Sequence, residues 1–315
     1  MFKYVIKRLG LSLVQLLGLI TITFLLVHVL PGDPARLLLG PSATPGSVAA
    51  LRHQLGLDQS LGGQFASFVG DTLQGHFGTS VAFSESVGSL ISQRVAPSAL
   101  LLGYGLLVAF VLGVPLAIVA ALRANRAVDH GIRAITTITF AMPAFWLGLM
   151  LALVFGLNLG WFPASGYDTG IAGVLRTLTL PAFALGLSLL AVVVRTLRSS
   201  MLGVLREEYV EAAWARGLSG PRVIGVHVLR NAIMPTIAVL AVNLGFLISG
   251  TVVIEQVFQI PGLGSLLVEA VQKRDYPTIQ VLALLAGAVV VFVGLVSDVV
   301  QPLLDPRVRL EARGG

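Results

Sequence analysis

Long apolar runs are the feature that most constrains this chain. The run Leu9–Leu30 has 22 residues, and at about 1.5 Å per residue such a helix reaches roughly 33 Å, enough to cross a hydrocarbon core of about 30 Å. Comparable runs recur along the sequence, so we predict an all-α integral membrane protein with six transmembrane helices. The predicted spans are Leu9–Leu30, Ser98–Leu122, Ala134–Leu157, Leu178–Val194, Ala232–Ile254 and Thr278–Val300.

The composition supports the same conclusion. Charged residues make up 11% of the chain and apolar residues 56%, with a mean hydropathy of +0.90, whereas a soluble domain has roughly 25% charged residues. This excludes a water-soluble enzyme, and the lack of cysteine excludes disulfides and thiolate chemistry. The first apolar run is too long for a signal peptide, whose apolar core has about 7–15 residues, so we predict an uncleaved first span.

The basic residues predict an orientation. With six spans both termini lie on one side, and the segments on that side carry 15 of the 21 Lys and Arg residues. Because positive charge concentrates in cytoplasmic loops, we predict that both termini are cytoplasmic. The predicted divisions are 1–30 (N-terminus and first span), 31–97 (an extracytoplasmic cap of short helices), 98–300 (five-helix core, with a cytoplasmic loop at 196–231) and 301–315 (cytoplasmic tail).

The cytoplasmic loop contains a short helical pattern. Six residues recur at steps of three and four, which predicts one continuous helical face up to Gly217: Leu202, Leu205, Tyr209, Ala212, Ala213 and Arg216. Gly217 is a natural end for that helix. The two alanines make the face shallow, so another protein can approach it closely. The alternative is an ordinary amphipathic helix at the membrane interface.

The loop also carries a family resemblance. Residues 211–217 (EAAWARG) and 227–235 (HVLRNAIMP) resemble the "EAA" loop of ATP-binding-cassette importer permeases, in the dipeptide, oligopeptide and nickel branch. Residues 7–34 resemble the first span of that branch, and residues 253–280 resemble its outer loop before the last span. The resemblance therefore extends over the whole chain and implies a six-helix bundle of the type I importer permeases, with an extracytoplasmic insertion after the first helix.

In that family the loop helix docks into a groove on a separate ATPase subunit. The resemblance implies that the alanines make the close contact, that Gly217 makes the turn, and that Glu211 and Arg216 make polar contacts at the rim. Two alternatives stay open. Glu211 can be a solvated charge on the helix surface. His227, Arg230 and Asn231 can anchor the start of the fifth span at the membrane interface instead of bracing the two cytoplasmic helices. The implied coupling residues are Tyr209, Glu211, Ala212, Ala213, Arg216, Gly217, His227, Arg230 and Asn231.

The partners follow from the same resemblance. The sequence has no G-x-x-x-x-G-K-[ST] motif, so we expect no ATP hydrolysis by this chain. We expect ATP and Mg²⁺ at two partner ATP-binding subunits, no cofactor or metal on this chain, a second homologous permease, an extracytoplasmic substrate-binding protein and a lipid bilayer. We expect no nucleic acid, and a bacterial inner or plasma membrane as the location.

The implied function is an ATP-driven import pathway for di- or oligopeptides, with haem as a further cargo of some such systems. One alternative is a metal or metal-chelate importer of the nickel type. Another is a gradient-driven transporter, although such proteins usually carry intramembrane acids, which are scarce here. The candidate pathway residues are Gln15, Asn243 and Glu255, and interhelical hydrogen bonding is the alternative role for them.

Overall fold

The described part of the chain folds mainly into helices. The computed structural model describes residues 2–29, 36, 39, 43–54, 56–80 and 82–304 of the 315-residue chain. Three of the predicted divisions are affected by residues that lie outside this description: 1 and 30 in the first division, 31–35, 37–38, 40–42, 55 and 81 in the cap, and 305–315 in the tail. The helices are α1 (Phe2–Val29), α2 (Pro45–Gln54), α3 (Leu61–Gln74), α4 (Val87–Leu122), α5 (Ala127–Ala141), α6 (Ala144–Leu151), α7 (Gly170–Val204), α8 (Glu208–Ala215), α9 (Arg230–Phe258), α10 (Leu263–Gln272) and α11 (Tyr276–Leu304).

Three smaller kinds of element complete the described part of the chain. An antiparallel hairpin pairs β1 (Thr79–Ser80) with β2 (Glu85–Ser86). A π-helical segment, Ala152–Asn158, continues α6. The helical turn Gly220–Arg222 and a second π-helical segment, which we call the π turn (Val223–Leu229), lead directly into α9. The all-α prediction is confirmed, since strands account for only these hairpin residues among those described.

The apolar helices account for the predicted spans. Five helices are long and apolar enough to cross a membrane, or up to seven spans exist if each of two bent pairs counts as one. The sequence predicted one span over 134–157 without a break, but α5 and the helix that follows it meet at 100°. Pro143 explains the bend, because proline lacks an N–H and forces Met142 into an extended conformation (φ −84°, ψ 132°).

The chain divides into two compact units, and the first comprises Met1–Arg8, Ala96–Ser265 and Phe292–Gly315. Within it, α7 packs closely against α4. A Cβ atom on Gly186 would lie 2.8 Å from Val108 Cβ, and one on Gly113 would lie 2.6 Å from Val193 Cγ1. Glycine thus lets the two helices approach to backbone contact, as in other membrane helix pairs.

A buried ion pair ties α5 to α7 in the same unit. Arg198 donates from Nε to Asp129 Oδ1 over 2.7 Å and from Nη2 to Oδ2 over 2.5 Å. The Asn125 backbone N–H donates to Oδ2 over 2.8 Å. Asp129 is fully buried, so its charge depends on these donors for stabilisation.

The second unit comprises Leu9–Val95 and Leu266–Val291. The Phe24 ring contacts those of Phe65 and Phe68 on α3, with ring centroids 5.3 and 5.9 Å away. Ser80, in the hairpin, donates to Asp275 Oδ2 over 2.5 Å. These contacts hold α3 and the hairpin, which lie within the predicted cap, against the helices of the same unit.

Candidate functional site

The loop after α7 folds into a short helix with a defined end. α7 stops at Val204, and α8 begins at Glu208 after Glu207 takes an extended conformation (ψ 139°). The prediction of one continuous helical face from Leu202 to Arg216 is therefore wrong, because the chain breaks between these two helices. At the other end, Gly217 has φ +73°. The Gly217 N–H donates to the Trp214 carbonyl (2.9 Å) and the Leu218 N–H to the Ala213 carbonyl (3.4 Å), which is the bonding pattern of a Schellman motif.

One edge of α8 packs inside the chain. Val210 and Ala213 are fully buried, and they join a cluster that includes Leu197 of α7 and both Val223 and Val228 of the π turn. The sequence pattern placed Ala213 on the same face as Tyr209, Ala212 and Arg216. In the structure Ala213 faces its own chain, while the other three side chains are exposed.

A hydrogen-bonded brace joins α8 to the start of α9. The Tyr209 hydroxyl donates to the His227 backbone carbonyl over 3.4 Å. Asn231 Nδ2 donates to the Tyr209 hydroxyl over 2.9 Å and to the His227 carbonyl over 3.0 Å. The structure therefore brings these three predicted residues together, with His227 contributing its backbone. Arg230 beside them is exposed.

The outward side of α8 is a mixed apolar and charged surface. We call it the loop surface and define it as Tyr209, Glu211, Ala212, Trp214 and Arg216. All five residues are exposed, and the two aromatic side chains show 40% and 46% of their surface. Arg216 Nε donates to the Ala212 carbonyl over 3.1 Å, so its guanidinium lies over the last turn of the helix. The surface has one charge of each sign and an alanine between large side chains.

The three candidate pathway residues have separate environments. Gln15 of α1 is exposed. Asn243 is half-buried and donates to the Val239 carbonyl of its own helix over 2.7 Å. Glu255 lies twelve residues further along α9, about 18 Å at 1.5 Å per residue, so it does not share a cluster with Asn243.

Glu255 is enclosed by hydrogen-bond donors. It is fully buried; Ser98 Oγ donates to Oε1 over 2.5 Å, and the Ser265 N–H donates to Oε2 over 2.9 Å. Ser98 Oγ in turn accepts from the Leu263 N–H over 2.8 Å. A Cβ atom on Gly262 would overlap the Glu255 carboxyl group. The carboxylate thus connects α4, α9 and the start of α10.

Sequence reasoning missed two features of this region. Trp214 is not among the predicted coupling residues, although an aromatic residue between the alanines and Gly217 favours a contact surface. The Asp129–Arg198 pair was also missed, because Arg198 was counted only as a cytoplasmic positive charge. An acidic residue near the end of a span is costly unless paired, and that signal was available.

Comparison with known proteins gives matches along the whole chain. The family described as the binding-protein-dependent transport system inner membrane component matches residues 113–310, and the N-terminal part of such components matches residues 1–94. The chain is 37% identical over 318 residues to a putative peptide permease protein of Brucella suis biovar 1 (strain 1330), covering 98% of this chain and 100% of that protein. It is 39% identical over 310 residues to a glutathione transport system permease protein of Escherichia coli (strain K12), covering 98% and 99%.

Proposed function

This chain belongs to the family of inner-membrane components of binding-protein-dependent transport systems, and from that premise we propose that it forms an import pathway for small peptides with a second, homologous permease. It is a multi-pass membrane permease of the ATP-binding-cassette importers rather than an enzyme. Family membership confirms the resemblance that the loop motif indicated. It also leaves the gradient-driven alternative without support.

The cargo class rests on the relatives. The two named above are a putative peptide permease and a glutathione transport permease, and this chain aligns with each over nearly its full length. We propose di- and oligopeptides as the cargo, and haem as a further cargo of the same pathway. A metal or metal-chelate cargo is the runner-up. Gln15 and Asn243 are proposed to line the pathway, and Glu255 is proposed to hold its outer end in shape.

The loop surface is the proposed docking site for the ATP-binding subunits. The observation that carries this proposal is that α8 is anchored on one edge and exposed on the other: Val210 and Ala213 are fully buried, while Trp214 is 46% exposed. Ala212 leaves room for close approach, and Glu211 and Arg216 can set the register of a charged partner. Two such subunits would dock, one on each permease, and they would bind the ATP and Mg²⁺.

The brace gives this docking site a way to act. ATP can drive the permease only if the docked subunits favour one of its conformations over the other. A force on α8 passes to α9 through Tyr209 and Asn231, and to α7 through the packing of Ala213. In this proposal Ala213 and Gly217 fix the angle of the helix, and Ala212 rather than Ala213 meets the partner.

The proposed orientation places α8 in the cytoplasm with both termini, and α2, α3 and the hairpin outside, where a substrate-binding protein would deliver its cargo. The excess of basic residues on the α8 side supports this orientation. Residues 31–97 are proposed to meet that binding protein.

Cysteine chemistry can test the docking site because the chain has no cysteine. Ala212→Cys would be expressed with the partner subunits in membranes and treated with a short thiol cross-linker. We expect a cross-link to the ATP-binding subunit, with a yield that changes when nucleotide is added. A thiol at Ala212 that stays freely reactive and finds no partner contradicts the proposal.

Two control positions make the result specific. Ala213→Cys is buried and should react slowly with the same reagent. Leu73→Cys, on α3, is 78% exposed and should be labelled by a membrane-impermeant thiol reagent from outside the cell, without a cross-link to the ATP-binding subunit. Labelling of Leu73→Cys only after the membrane is opened would reverse the proposed orientation.

Cargo is tested separately by uptake into proteoliposomes that contain the complete transporter and its binding protein. We expect ATP-dependent uptake of a labelled dipeptide or of glutathione. Uptake of a nickel chelate with no uptake of peptides would favour the runner-up.

A further inference from the structure

A basic cavity lies between α5 and α7 within the first unit. Its volume is about 720 Å³. His130 and Arg133 on α5, with Arg195 and Arg198 on α7, line one end of it. Both helices belong to segments apolar enough to cross a membrane, so the cavity opens at the charged end of two spans.

The charges in this cavity do not cancel. Arg198 is neutralised by Asp129, which it contacts through two hydrogen bonds. Arg133 and Arg195 are exposed, and the described lining residues include no carboxylate. Arg133 Nη2 lies 3.3 Å from His130 Nδ1, which adds a donor–acceptor contact but no negative charge. The cavity therefore holds two arginine charges in excess.

The rest of the lining is less polar. About one helical turn beyond Arg133 and Arg195, the walls are formed by Thr137 and Ile138 of α5 and by Ala191 of α7. The surface of α5 beyond the cavity is also apolar, since Phe140 is 54% exposed. Cationic groups at one end and apolar walls at the other match the two parts of a phospholipid.

We propose that this cavity binds an anionic phospholipid, with its phosphate between Arg133 and Arg195 and the start of an acyl chain against Ile138, which is 55% exposed. Guanidinium groups pair with phosphate oxygens through two parallel hydrogen bonds. Basic pockets between transmembrane helices are suited to anionic headgroups. The net positive lining favours phosphatidylglycerol over phosphatidylcholine, whose own ammonium group cancels the charge of its phosphate. The proposal does not depend on the cargo.

The test uses Thr137→Cys, labelled with an environment-sensitive fluorophore, in the full chain reconstituted in nanodiscs. Lipids with a spin label high on the acyl chain quench the fluorophore when they occupy the cavity. We expect spin-labelled phosphatidylglycerol to quench at a mole fraction roughly ten- to thirty-fold lower than phosphatidylcholine does, because each of the two arginines near the membrane surface attracts the anionic headgroup. Equal quenching by the two lipids overturns the proposal.

Charge variants provide the matched controls. The double variant Arg133→Gln, Arg195→Gln should abolish the preference for phosphatidylglycerol. The double variant Arg133→Lys, Arg195→Lys keeps both charges and should keep most of that preference, which would show that substitution at these positions leaves the fold intact. Arg123→Gln with Arg126→Gln removes the same charge from the turn before α5, outside the cavity lining, and should leave the preference unchanged. Equal loss in both glutamine pairs would mean that only the general surface charge matters and overturns the site.

Two further results would also overturn the lipid assignment. Reversal of the quenching by soluble glycerol phosphate would identify a small-anion site. Cross-linking of the cysteine introduced at Thr137 to the second permease, in the assembled transporter, would identify the cavity as a protein contact.

Discussion

Asn231 donates a hydrogen bond to the Tyr209 hydroxyl over 2.9 Å, although 22 positions separate the two residues in the chain. The bond joins the short helix α8 to the first turn of the long helix α9. Both side chains are exposed, so this bond contributes little to global stability. Its effect is on the orientation of α8 relative to the span that follows it.

We expect Tyr209→Phe to loosen α8 without unfolding the bundle. The change removes the hydroxyl that bonds Asn231 and the His227 carbonyl, at a cost of about 0.5–1.5 kcal/mol. Hydrogen exchange of the amides at 208–217 should become faster, while thermal unfolding barely moves. His227→Gln is the control, because the brace uses only the backbone of that residue; equally fast exchange in the control would count against the brace.

Gly217 should tolerate asparagine better than alanine. A Cβ atom at this position would meet nothing within 4 Å, so the cost comes only from the left-handed φ of +73°. That conformation costs an ordinary residue about 1–2 kcal/mol, and asparagine adopts it more readily. ATP-dependent uptake and hydrogen exchange of α8 should rank glycine, asparagine and alanine in that order. Uptake and exchange rates equal to those of the glycine protein in both variants would mean that the left-handed conformation of residue 217 is unimportant.

Arg198→Met should destabilise the protein strongly. It leaves the buried Asp129 carboxylate without its main partner, which typically costs about 3–5 kcal/mol. Arg198→Met combined with Asp129→Asn should recover most of that loss, since the Asn125 N–H can still donate to the amide oxygen. Urea unfolding in detergent measures both, with the exposed Arg123→Met as the control. A double variant as unstable as the single one would refute the ion-pair account.

Ser98→Ala should weaken the connection around Glu255. The hydroxyl donates to Glu255 and accepts from the Leu263 N–H, and the loss of buried partners costs about 1–3 kcal/mol each. We expect a lower melting temperature than in Ser92→Ala, where an exposed serine bonds the Ser89 carbonyl of its own helix. Equal melting temperatures would show that Glu255 is stabilised without Ser98.

The sequence predicted the all-α membrane fold because apolar length is a local property. Leu178–Val194 lies wholly inside α7, and only the helix ends were underestimated, since Thr177 and Met201 are buried with the rest of the helix. The break at Pro143 was not predicted, although proline marks it. Whether a proline kinks a span or divides it depends on neighbouring helices that can satisfy the freed backbone groups.

The sequence predicted most of the residues of the loop helix, but not which of them face outward and which are buried. The period of three and four put Tyr209, Ala212 and Ala213 on one face, and the structure buries only Ala213 of the three. The deciding contacts come from Val223 and Val228 of the π turn. A periodic pattern shows which residues share a face; it does not show which neighbouring element covers that face.

The π turn determines how the residues before it are rotated about the helix axis relative to α9. A helix advances by about 100° for each residue, and a π-helical turn holds one residue more than the α-helical turn it replaces. The extra residue therefore rotates the helix before Val223 by about 100° relative to the helix after Leu229. An unbroken α-helix would not have this rotation. Removing one residue between them would barely shorten the protein, but we expect it to turn Tyr209 and Asn231 away from each other. The number of residues in this turn therefore determines how α8 is rotated relative to α9.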